Sequence, residues 1–439
     1  MISDIERIFL DAVAAVHPAQ LMQNNITVSP DRQSIVIAGA TYPVLPGSRI
    51  WILGAGKASS AMAREAEQIL TPSFPIQGFI VTKTGHTVPL KYLEQMEAGH
   101  PVPDQNSVAA TVKMQAIAKQ VGARDIVLLL LSGGASALLA DVPPGSSLEE
   151  VQQLFEVLLK SGADIREMNI VRKHLSAVKG GQLARLLAPA TVCTLALSDV
   201  VGDDLSIIGS GPTVADPSTF AESLEIIRRY RLGDKIPAAL LQWLQNGAAG
   251  KIPETPKPGS QELAHVHNYL AGTNSIALAA AEASAIRLGY HPVLLSNTVT
   301  GNVEDVAAWL IETAKAYKGP LPACLLAGGE TTVVVTGNGT GGRNQQLALK
   351  AGILAGNNPN IIVLSGGTDG SDGPTNAAGA IVDASTFSRA QEAGINAVDY
   401  LRNHDAWTFF SKAGGLLVTG PTTTNVMDLM IVLLTAPQP

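Results

Sequence analysis

The chain's 439 residues are too many for one compact core, and 15% charged and 4% aromatic residues beside 42 glycines suit closely packed α/β layers more than a disordered or fibrous chain. A net charge of -7 with no basic tract argues against nucleic acid and a membrane surface, so an anionic ligand needs a local cationic site. Cys193 and Cys324 lack metal-type spacing, the N-terminus lacks a secretory signature and no apolar run approaches ~20 residues, so a soluble, cytoplasmic protein is expected.

Ser3 and Glu6 in capping-box spacing, followed by the apolar stripe Ile5, Ile8, Phe9, Val13 and Val16, predict an N-terminal surface helix. Two β-like runs, 26–29 and 34–38, flank the turn pair Pro30 and Asp31 and predict a hairpin. From Arg49 strands alternate with helices, the strands at 50–53, 78–82, 126–131 and 191–197, which predicts a mostly parallel sheet with right-handed crossovers. The Pro/Gly-rich tract 247–261 is the expected boundary and hinge, dividing the chain into domains 1–250 and 251–439. Beyond it the pattern predicts helices at 275–288, 303–316 and 344–354, and strands at 292–295, 323–327, 332–336, 361–364 and 428–434.

Three of these strands run into a glycine pair: Gly133-Gly134 after Leu131-Ser132, Gly328-Gly329 before Glu330, and Gly366-Gly367 before Thr368-Asp369. Small residues leave backbone N–H groups uncovered, and such nests attract phosphate or carboxylate at the carboxyl ends of parallel strands. The competing reading is tight packing of strand on helix. Lys57, after Gly54-Ala55-Gly56, and Arg343, after Gly341-Gly342, each fall in the first turn of a predicted helix, where a cation opposes the helix dipole unless an anion joins it. Arg172 and Lys179 lie about two turns apart and can add to a cationic pocket, or simply form a solvated face. Asp199, Glu330, Asp369 and Asp372 occupy the corresponding turns, as magnesium ligands or as turn and cap residues.

Residues 49–59 invite comparison with a dinucleotide fingerprint, but Ser59 stands at the third glycine position and the next strand ends in Thr82-Lys83 without an acid. No P-loop or nucleophile elbow is present, and His86, His100 and His174 share no metal spacing.

The motifs at 54–58, 99–104, 131–138, 169–176, 179–181, 197–203, 209–213, 328–331, 341–345 and 367–374, in this order, resemble the class II glycerate kinases, whose C-terminal part is of the MOFRL type. Ala135 departs from the third glycine common there. The resemblance implies a Rossmann-like, mostly parallel N-terminal domain, a smaller α/β MOFRL-type domain, a cleft between them, and ATP- and Mg-dependent phosphorylation of D-glycerate, usually at the 2-hydroxyl. Lys57 and Arg343 match the family's proposed catalytic lysine and arginine, and Asp199 joins them as a catalytic candidate. Ser132, Gly133, Gly134, Ser136, Lys179, Gly328, Gly329 and Glu330 are the candidates for ATP, Gly54, Lys57, Arg172 and Arg343 for glycerate, and Asp199, Glu330, Asp369 and Asp372 for magnesium. The expected partners are D-glycerate and ATP, with a homodimer as a candidate assembly. Relatives labelled hydroxypyruvate reductase keep a reductase as one alternative, which the failed fingerprint opposes, and a non-catalytic metabolite sensor is another.

Overall fold

A computed structural model describes residues 1–356 and 358–436. The chain forms two compact units, one of residues 21–198 and 203–271, the other of 1–20, 199–202 and 272–439. These bounds differ from the expected 1–250 and 251–439 because the first helix and the turn at Asp199 group with the C-terminal residues while 251–271 group with the first unit. The tract 247–261 is not a linker. It is pinned inside the first unit, where Glu254 accepts from Phe220 N (2.9 Å) and pairs with His174 (3.1 Å), and Thr255 donates to Asp216 (3.1 Å). A segment so bonded is a poor hinge.

In the first unit, β1 (Ile26–Val28), β2 (Ser34–Ile37) and β3 (Ala40–Pro43) form a small antiparallel sheet, one strand more than the expected hairpin. The main sheet contains β4 (Ile50–Ala55), β5 (Ile76–Lys83), β6 (Glu94–Ala98), β7 (Ile126–Leu131), β8 (Thr191–Leu197) and β9 (Val266–Gly272), in the order β6-β5-β4-β7-β8-β9. The strands from β6 to β8 pair in parallel. The central β4 and β7 are buried along their whole length, as continuous apolar runs require when both faces are covered. Edge strand β6 carries Glu94 and Glu97, charges that keep a sheet edge from pairing with other chains and that also hid it from a hydrophobicity reading.

The second unit is built on a mixed sheet. Its strands are β10 (His291–Val299), β11 (Ala323–Gly329), β12 (Ile361–Gly367), β13 (Gly379–Val382), β14 (Leu416–Leu417) and β15 (Asp428–Leu434), in the order β10-β11-β15-β12-β13-β14. β10 and β11 are parallel, but β15 enters antiparallel between β11 and β12. The first residue of β15, Asp428, is therefore in register with both Gly329 and Gly367. The expected strand at 332–336 does not form. Val334 and Val335 stay 70% and 61% exposed, so β-branched composition alone did not make a strand without a neighbour to pair with. The N-terminal helix (Ile2–Ala15) begins before Ser3 and has no side-chain cap, yet its stripe is buried as expected, with Asp11 bonding Ser284 (2.7 Å) and Arg287 (2.9 Å).

Candidate active site

In the first unit, the turns after β4 and β7 are tied together. Lys57 N donates to Gly133 O (2.9 Å), and Ala58 N donates to Ser132 Oγ (3.0 Å). Gly56 (φ +137°) is needed here, because a Cβ would lie 2.1 Å from Ser132 Oγ. The helix behind Lys57 begins only at Ser59, so Lys57 precedes it and is not in its first turn. Gly54, a candidate for glycerate, lies inside β4 opposite Ile80 and Leu130, where its lack of a side chain serves close packing.

The turn Ser132 to Ser136 carries a run of bare amides. Among the described residues, the N–H groups of Gly133, Gly134 and Ser136 make no hydrogen bond. Gly134 (φ +87°) packs where a Cβ would be 2.8 Å from His100 Cδ2. The helix that follows, Ala135–Leu138, has four residues, too few for the dipole support expected from the sequence. Ser136 Oγ contacts Ser210 Oγ (2.9 Å), Ser210 Oγ donates to Asn169 Oδ1 (3.0 Å), and Arg172 donates to the same oxygen (2.7 Å). Ser210 is held at φ +61°, a strained value for a non-glycine residue, of the kind that clusters at functional sites.

This network borders a cavity of about 770 Å³ lined in part by His100, Gly134, Ser136, Arg172 and Lys179. Arg172 and Lys179 are not on one helix, since the first ends at His174, but both line this cavity. Burial lowers the Arg172 guanidinium to about 10 and also lowers Lys179, whose ammonium donates to Leu139 O and lies 3.7 Å from Asp141. Burial, then the charges of Lys57 and Lys83, pushes the His100 imidazole down to about 4, so it is neutral near pH 7.

In the second unit Arg343 is already paired. Its guanidinium donates to both oxygens of Asp428, Nε to Oδ2 at 2.6 Å and Nη2 to Oδ1 at 3.0 Å, and pairs with Glu330 at 2.8 Å. Arg343 does open its helix (Arg343–Ala355), and the anion missing from the sequence view is supplied by the protein itself. Asp372 accepts from Asn344 N (3.0 Å) and Gln345 N (2.8 Å), two of the helix's orphan amides. Both Asp372 oxygens thus accept from the helix start, the cap role that was the alternative to metal binding. Burial raises the Asp372 carboxyl to about 6, against the pull of those amides.

The second and third glycine turns are more fully bonded. Glu330 N donates to Val299 O (2.9 Å), Gly367 N to Ala378 O (2.8 Å) and Thr368 N to Met427 O (3.0 Å), and Gly328 and Gly329 pair with the last strand. What these turns do is converge on Asp428. Asn274 donates to Asp428 O (3.0 Å), Thr368 Oγ1 to Met427 O (2.7 Å), and Met427 itself is strained at φ +70°. Burial, then Asp428 and Asp199, raises the Glu330 carboxyl against the pull of Arg343. Asp369 accepts from Ser371 N (3.0 Å), the local turn that was its plainer reading.

Among the described residues, no three His, Cys, Asp or Glu side chains converge to hold a metal. Magnesium that arrives on a nucleotide needs only one or two protein carboxylates. Glu330 and Asp369 each keep a second oxygen beyond the bond already made, and Asp199 stands close enough to act on Glu330, so these three fit that lesser demand.

Two family models match the chain, a domain of unknown function (DUF4147) over residues 4–245 and the MOFRL family over residues 323–428. A D-glycerate 2-kinase of Thermotoga maritima is 41% identical over 93% of this chain and 95% of its own. A putative hydroxypyruvate reductase of Agrobacterium vitis is 40% identical over 98% of this chain and 94% of its own. The crystal structure of a glycerate kinase from Thermotoga maritima superimposes with a TM-score of 0.86 at 37% identity, covering 99% of both chains. The chain belongs to this DUF4147 and MOFRL family, the class II glycerate kinases.

Proposed function

We propose that the protein transfers the terminal phosphoryl group of ATP to the 2-hydroxyl of D-glycerate, giving 2-phospho-D-glycerate and ADP. The observation that carries this reading is the turn 132–136, whose three uncovered amides adjoin the Lys57 turn and a cavity holding Arg172 and Lys179. Phosphoryl transfer asks a protein for positioning and neutralisation of charge more than for covalent chemistry. The C2 oxygen of glycerate bonds to the γ-phosphorus, the bond from phosphorus to the bridging oxygen breaks, ADP leaves, and the hydroxyl proton is released. Ser132, Gly133, Gly134 and Ser136 receive phosphate oxygens through their amides, with Lys179 behind them.

Lys57 is a mobile point charge suited to a group that changes position. Arg343 is a planar fork held in one orientation by Asp428 and suits a carboxylate or an equatorial phosphate edge. Magnesium, bound through Asp199, Glu330 or Asp369 and the phosphates, would neutralise charge on the triphosphate. The names of relatives support a kinase, and the broken dinucleotide fingerprint at Ser59 and Lys83 weighs against the reductase. Two buried free cysteines, and no described helix long and apolar enough to cross a membrane, accord with a cytoplasmic setting. The test is a coupled ADP-release assay with D-glycerate, in which Lys57→Ala and Arg343→Ala should each be crippled. Near parental kcat in both would remove these roles.

A further inference from the structure

We infer that the cavity beside Gly134 takes the nucleoside end of the nucleotide, an inference that rests on the phosphotransfer reading above. Its volume of about 770 Å³ far exceeds what a three-carbon acid fills and lies in the usual range for larger organic ligands. Its polar lining includes Gly134, Ser136, Arg172 and Lys179, and its apolar lining is a wall of Val151, Phe155, Leu159, Ile165, Met168 and Leu175.

Leu159 and Ile165 on this wall are 65% and 56% exposed, and apolar groups left in water at a cavity rim mark a ligand surface. The Arg172 guanidinium has Asn169 Oδ1 and the Phe155 face (4.6 Å) as partners but no carboxylate. The two lining carboxylates are already matched, Asp141 with Lys179 and Glu156 with Lys160. A cation without a carboxylate partner beside an uncovered apolar wall matches a molecule that joins an anionic group to a flat apolar one. Gln152 Nε2 donates to Pro103 O (2.7 Å), which leaves its amide oxygen as an acceptor for an amino group on the base.

The test uses the full chain and two probes, ADP by calorimetry and D-glycerate by steady-state kinetics. Phe155→Ala should weaken ADP and raise KM for ATP about tenfold, the factor that ~1.4 kcal/mol of lost apolar contact gives, with KM for glycerate within about twofold. Unchanged ADP binding, or a rise confined to glycerate, overturns the assignment. Should Phe155→Ala not fold, Leu159→Trp decides on an exposed residue. Its added emission should shift with ADP and with adenosine but not with glycerate, and no shift with either nucleotide probe overturns the inference. ADP binding that depends on Phe155 without glycerate turnover would keep the cavity and sink the kinase, whereas turnover indifferent to Phe155 would do the reverse.

Discussion

The two units hold their cations in opposite ways. In the first, Arg172 is largely withdrawn from water with one amide oxygen and one aromatic face for company, next to amides that bond to nothing. In the second, Arg343 is gripped by two carboxylates, and the amides of its helix are held by a third. The difference separates two jobs that look alike in sequence. A cation without a counter-ion is a site waiting for an anion. One already neutralised is a tool fixed in orientation, whose cost of ordering is met before any ligand arrives.

The largest effect should come from the cations themselves. Lys57→Ala and Arg343→Ala should each lower kcat by roughly 10²–10³, the usual loss of one preorganised charge in a phosphoryl- or acyl-transfer site, as read by ADP release. Asp428→Ala should come next and act on two readouts. The aspartate is fully buried, so its loss leaves Arg343 misaimed and one carboxylate short, and roughly 2–4 kcal/mol of stability should vanish, the lower part of the buried-pair range because Arg343 keeps 33% exposure. Urea unfolding checks this. Intact stability with intact kcat would mean that Asp428 does not hold Arg343 for catalysis.

A pH experiment sharpens the same contrast. The folded Asp372 carboxyl is raised to about 6 from an ordinary 3.8, so the folded state binds its proton more tightly than the unfolded state. That contribution to stability is present below the unfolded value and is lost as pH rises from about 4 through about 6. The stability of the parent relative to Asp372→Asn should therefore fall over this window, by an amount on the order of 1–3 kcal/mol, and be flat above it. The opposite slope would show the helix amides to outweigh burial.

The smallest effect is Arg172→Ala. Ligand affinity should drop about tenfold while stability stays level or rises, because a desolvated cation without a carboxylate partner is removed. A stability loss as large as that of Asp428→Ala would erase the distinction between the two units.

Much of this was legible beforehand where local pattern and tertiary role coincide. The apolar runs became β4, β7, β8, β11, β12 and β15, and Lys57, Arg343, Ser132 and Gly134 fell at strand ends or helix starts because glycine turns signal such places. Asp428 was invisible. It looks like the polar edge of a last strand, and its importance comes only from the antiparallel insertion of β15 between two strands far away in sequence. The same non-locality explains the helix Ile2–Ala15 joining the C-terminal residues. The three glycine pairs were read as one device, but amide bonding differs among them, and that depends on neighbours such as Val299 and Ala378 that spacing does not reveal. The tract at 247–261 misled because Pro/Gly content reports local stiffness and says nothing of Asp216 and His174 reaching for it.

The most direct test of the central claim is phosphorus NMR of the protein incubated with ATP, magnesium and D-glycerate. The account predicts ADP together with a new phosphomonoester resonance matching 2-phospho-D-glycerate, absent with Arg343→Ala. ATP left intact, or a product phosphorylated elsewhere on glycerate, would contradict it.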